Sequence, residues 1–218
     1  MIYGRIYNLK LNINSLFKII SAVREYLFSY QKFGKKFQLI NTLSDLVSFI
    51  NERSAYVTQT TLYGYLKTRM GLKYALMFSE DIFIQSVNKS KWNIFVVAVS
   101  DLTLFTVSIL SNRNQLNLSN DSITKIYKSV LDDQITKGMP EELLSSSLKK
   151  FKDRINNINI NFYSKDKPFE LSGLALYEWS PIADNLKVLD KEIVLNSIKN
   201  KWMHVINDFD KLSKNFKN

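Results

Sequence analysis

The chain has 218 residues, 45% hydrophobic and 23% charged, a balance that suits one globular domain with a real core and argues against disorder. It contains no cysteine and one histidine, His204, which excludes disulfides, thiolate zinc sites, cysteine nucleophiles and multi-histidine metal centres. Six glycines and three prolines disfavour turn-rich β architectures and glycine-rich phosphate loops, while a formal charge of +10 raises the question of a polyanionic partner.

Met1 to Ile13 alternates loosely, as a short strand or an arm would, so the chain divides into an N-terminal arm over 1–13 and a helical domain over 14–216. Ser15 caps a predicted helix to about Gln31, with Leu16, Ile19, Ile20, Val23 and Leu27 on one face and Gly34 beyond its end. Thr42 or Ser44 begins a second helix, with Asp45 near the positive end of its dipole. Leu46, Phe49, Ile50, Arg53, Val57, Leu62 and Leu66 recur in it at helical spacing, and Gly71 is its natural stop. A short turn of helix over 72–78 precedes Ser79, which with Glu80 and Asp81 starts a helix running to about Ser111.

The serine- and asparagine-rich stretch 111–121 reads as a loop. A fourth helix spans 122–137 with Ile123, Ile126, Tyr127, Val130 and Leu131, ending at Gly138. Pro140 opens a fifth, carrying Leu144, Leu148, Phe151 and Ile155. The polar segment 156–167 reads as irregular, and 171–179 as a short helix stopped before Pro181. Asp190 then caps a long terminal helix with Val194, Ile198, Trp202, Val205, Phe209 and Leu212. The expected fold is a single all-α bundle of six or seven helices, its buried central helix around 80–111.

The run from Trp92 to Leu110 is apolar apart from one carboxylate and a few hydroxyls and amides, with Asn93, Ser100, Asp101 and Ser108 in one sector at 100° per residue. A transmembrane helix needs about 20 apolar residues, and an aspartate near its centre costs roughly 2.5–3.5 kcal/mol. With Asp101 mid-run, burial inside a soluble bundle is the better reading. Asp101 then requires a partner, and Arg53, Lys67 or Arg69 on the preceding long helix, or a nearby hydroxyl, are the candidates.

The charge has two readings. Lysine, asparagine and isoleucine are all abundant, as an AT-rich genome produces without functional demand. Yet Arg5, Lys10, Lys18, Arg24, Lys32, Lys35 and Lys36 face only Glu25 in the first forty residues, so about six of the ten excess charges sit there. Phe17, Ile20, Leu27 and Phe28 beside Lys18, Arg24, Lys32, Lys35 and Lys36 suit either an anionic surface or the basic outer face of a bundle helix. Tyr63, Tyr65, Lys67, Arg69, Lys73 and Tyr74 interleave rings with cations, as single-strand binders do, though tyrosines on amphipathic helices also straddle core and surface. No helix-turn-helix is evident.

Three stretches, 52–71, 77–102 and 180–202, resemble a family of small all-helical alphaproteobacterial proteins without an established role, some of which carry the label esterase. The resemblance implies a bacterial cytoplasmic setting and assigns no catalytic residue. It agrees with an N-terminus lacking a compact apolar core and small-residue cleavage site, and with the absence of cysteine. The hydrolase label finds little support in the residues. There is no G-x-S-x-G elbow, and Ser197 lies two turns, roughly 10 Å, from His204, itself expected to be a partly buried helix residue. The expected activity is therefore non-enzymatic protein binding with no metal or cofactor. A nucleic-acid or ribosome-associated role is the alternative, and peripheral membrane association or hydrolysis follow.

Overall fold

The computed structural model describes residues 38–217. Helix α1 (Leu43–Met70) is followed by a 3-10 turn (Gly71–Lys73), the one-turn α2 (Tyr74–Met77) and the long α3 (Asp81–Asn112). Then come α4 (Asn120–Ile135), α5 (Glu141–Asn156), the one-turn α6 (Ile160–Tyr163), α7 (Glu170–Trp179) and α8 (Asp184–Leu212). No strand occurs among the described residues, and the architecture is an all-α bundle. The expected arm, the expected first helix and the basic residues Lys18, Arg24, Lys32, Lys35 and Lys36 lie outside the described residues.

The start of α1 follows from its first residues. The Thr42 hydroxyl accepts from the Asp45 amide at 3.2 Å while the Asp45 carboxylate accepts from the Thr42 amide at 3.0 Å, a reciprocal cap. The hydrogen bond from the Thr42 hydroxyl, then that from the Asn41 amide, holds the Asp45 carboxyl below its ordinary pKa. At the far end Gly71 takes φ +52°, a conformation that a side chain would strain.

Helix α3 is the centre, packed by α1, α4, α6 and α7. Among the described residues it alone is long and apolar enough to cross a membrane, with mean hydropathy 2.1 over its best window. Yet 83% of that window is buried by the other helices. A central helix surrounded by protein explains its near-continuous apolar surface. Helix α8 runs antiparallel to α1: the Phe49 and Phe209 rings lie 5.4 Å apart near one end, and the Tyr65 hydroxyl meets Asp190 at 2.8 Å near the other. Helices α4 and α5 pair through Tyr127 and Phe151, whose rings stack at 4.1 Å.

Several boundaries differ from the sequence expectation. Glu80, not Ser79, is the N-cap of α3, because the Ser79 hydroxyl turns back to the Leu76 carbonyl at 2.6 Å. Ser119 caps α4, accepting from the Ser122 amide, so that helix starts two residues early. The segment expected to be irregular contains α6, with Tyr163 buried against the core. Helix α8 starts at Asp184 rather than after Asp190, which leaves Asp190 within the helix and frees it for another partner.

Candidate functional site

Of the four polar residues that share a sector of α3, Ser100, Asp101 and Ser108 meet the chain segment that returns from α5 to α7. Asp101 is wholly inaccessible to solvent, 0% exposed. Its Oδ1 accepts from Arg154 Nη2 at 2.7 Å and from the Tyr163 hydroxyl at 3.0 Å, and its Oδ2 from the Ser172 amide at 2.8 Å. Arg154 donates further to Ser100 Oγ and to the Tyr163 oxygen, both at 2.7 Å, and its guanidinium lies 5.3 Å from the Tyr163 ring centre. Burial first, then the Asp101 charge, raises the Tyr163 phenol well above the ordinary tyrosine range. Ser108 Oγ accepts from the Ser164 amide at 3.1 Å.

The local backbone explains why a remote carboxylate is needed. Phe169, the N-cap of α7, has no capping side chain and adopts φ +75°, ψ +6°, the left-handed region. Its ring stacks on Trp202 at 4.4 Å and tilts against Phe105 at 5.1 Å, so core packing holds it in that conformation. With no acceptor at position 169, Asp101 takes the third amide of the helix, and its negative charge faces the positive end of the α7 dipole. Ser172 completes the junction: its hydroxyl donates to the Phe169 carbonyl and accepts from Trp202 Nε1, both at 2.9 Å.

The expected partners of Asp101 need correction. Arg154, from α5, supplies the cation, and the Tyr163 hydroxyl adds a second donor; none of Arg53, Lys67 and Arg69 does. Arg53 reaches Asp208 at 3.1 Å, and its guanidinium lies over the Phe49 ring. Arg69 and Asp190 form a two-pronged ion pair, joined by the Tyr65 hydroxyl. Hydrogen bonds from Arg69 hold the Asp190 carboxyl below its ordinary pKa, while burial and then Asp190 push the Tyr65 phenol up to about 12. Lys67 is exposed. Tyr63 is buried with its ring 6.5 Å from that of Phe78, and Tyr74 meets the same ring edge-on at 5.1 Å. The residues grouped from sequence are therefore separated: Arg53, Arg69 and Tyr63 enter three different contacts along α1, Lys67 is exposed, and Asp101 meets Arg154 of α5.

His204 is exposed on α8, against the expectation of partial burial, because Trp202 and Val205 beside it take the core-facing positions. Ser172, the serine beside the buried carboxylate, is fully buried, with its hydroxyl held by both a donor and an acceptor. Such a hydroxyl is closed to a substrate.

From sequence, Arg154, Tyr163 and Ser172 are not expected around Asp101, and Trp202 is marked only as an apolar position of the terminal helix. The available signal was Arg154 itself, which flanks the apolar stripe Leu144, Leu148, Phe151, Ile155 at helical spacing. Comparison with known protein families, curated proteins and solved structures finds no match.

Proposed function

We propose that this is a non-enzymatic helical protein that binds a protein partner in the bacterial cytoplasm, using the elbow between α1 and α3. The observation that carries the reading is the exposure of large apolar side chains there: Leu72 is 99% exposed, Ile82 81% and Leu76 49%. They flank a rigid anchor, since Phe78 is buried and lies edge-on to Tyr74 and Phe83, with ring centres 5.1 and 5.4 Å away. Apolar side chains displayed on a preformed backbone contribute affinity with little ordering cost. The polar chemistry of the interior, by contrast, is engaged in joining helices.

The test uses the tagged full chain and its Leu72→Glu/Ile82→Glu variant, expressed in the native host. A protein that copurifies with the wild type and is lost from the equally folded variant is the expected result. Binding that resists both glutamates overturns the elbow as contact surface. Retention on RNA or DNA that falls steeply with salt, or flotation with anionic liposomes, in place of such a partner, would overturn the protein-binding reading.

A further inference from the structure

The outward side of α8 carries a pattern that the elbow lacks. Leu186, Leu189, Ile193, Asn196, Asn200, Met203 and Asn207 follow one another at alternating spacings of three and four residues, and every one of them is exposed. At 100° per residue they stay within an arc of about 100°, a narrow seam rather than a broad amphipathic face. None of the ten charged residues of α8 stands in it. Strict alternation of three and four is the spacing by which one helix meets another along its length. The seam leaves Leu189 73% exposed, Ile193 69% and Met203 53%.

We propose that this seam pairs with the same seam of a second copy of the chain, the two α8 helices running antiparallel about a two-fold axis. The charges beside the seam select that occupant. Glu192 and Lys199 border one edge of it a heptad apart, both exposed and neither ion-paired among the described residues. In an antiparallel pair that edge faces its own copy, so the two charges are self-complementary. Glu192 set against Lys199 of the second copy, twice by symmetry, aligns Leu186 with Met203, Leu189 with Asn200 and Ile193 with Asn196 across the axis. Sliding by one heptad either way brings Glu192 onto its own copy or Lys199 onto its own copy, and the like charges oppose both. A parallel pair in register sets Glu192 beside Ser197 and Lys199 beside His204, with no ion pair formed. The asparagines within the seam fix the register at a cost in affinity. The contact covers residues 186–203, about 26 Å of helix, so a dimer of micromolar strength is expected.

The test uses the full chain, whose lack of cysteine lets single introduced thiols report the pairing. Sedimentation equilibrium is expected to show a reversible dimer with Kd between about 1 and 100 µM. Glu192→Lys or Lys199→Glu alone should weaken it about tenfold, and Glu192→Lys/Lys199→Glu together should return it to within about threefold of the wild type. When Leu189→Cys and Asn200→Cys chains are mixed under mild oxidation, disulfides between unlike chains should exceed those between like chains by about tenfold. A wild type still monomeric at about 200 µM overturns the proposal. So does a double charge reversal no tighter than the single ones, or thiols that join like chains as readily as unlike. The dimer is expected to survive Leu72→Glu/Ile82→Glu at the elbow, so this inference and the proposed function fail separately.

Discussion

Removing the Asp101 carboxylate tests whether the centre of this protein is an ion-paired junction. Asp101→Ala strands Arg154, whose side chain is 17% exposed, and leaves the Tyr163 hydroxyl and the Ser172 amide without their acceptor. Breaking a buried pair from one side costs about 3–5 kcal/mol, because the remaining charge stays in a poor medium. Arg154 keeps Ser100 and the Tyr163 oxygen, which places the loss in the lower half of that range. Uncapping α7 adds about 1 kcal/mol, for a total of about 4 kcal/mol. In urea, with a slope of about 2 kcal/mol/M, the midpoint should fall by about 2 M when followed by far-ultraviolet circular dichroism. Adding Arg154→Met should recover part of the loss, since the stranded cation is then gone, with a coupling of about 2 kcal/mol in the double-mutant cycle. A loss below about 1 kcal/mol, or strict additivity with Arg154→Met, would refute the junction.

Phe169 should show an inverted order of substitution. Phe169→Ala loses the stacking on Trp202 and should cost about 3–4 kcal/mol, whereas Phe169→Gly, despite removing one more carbon, should be milder by about 1 kcal/mol because φ is +75°. Equilibrium unfolding of both variants checks this, and a milder alanine would count against backbone strain at that position. The Arg69–Asp190 pair should appear as an acid-side effect. Because the folded carboxyl is held below its ordinary value, the unfolded chain takes up the proton first, so its stabilisation is present above about pH 4 and fades as pH falls through the lowered folded value. Melting temperatures of wild type and Asp190→Asn should therefore differ at neutral pH and converge as pH falls toward about 2; parallel curves would contradict the linkage.

Much of the architecture was legible because it rests on local rules. The cap at Thr42 (one of two candidates, with Ser44), the stop at Gly71 and the long apolar run were readable from residue type and spacing alone. The misplaced start of α8 has a specific cause. Asp190 has the chemistry of an N-cap, but Arg69 and Tyr65 on α1 bind its carboxylate, and neither is near it in sequence. A capping residue and a tertiary ion-pair partner look alike until the opposing helix is known.

Asp101 draws the same limit more sharply. Helical periodicity identified the sector of α3 that holds Ser100, Asp101 and Ser108, and desolvation required a donor for the carboxylate. Neither consideration says which helix lies opposite. The strong contact with α1 made Arg53 and Arg69 reasonable candidates, yet both are paired to α8, which runs along the same helix. The sector of Asp101 instead meets the route from α5 through Tyr163 to α7, a path that read as irregular because its order is tertiary. Its amides and hydroxyls are satisfied by α3: Ser164 by Ser108, Tyr163 and Ser172 by Asp101. The polar residues of the central helix thus form a template on which an otherwise weak segment takes its conformation. Their role is carried by the segment they order, which accounts for these three polar side chains within the mostly apolar run from Trp92 to Leu110.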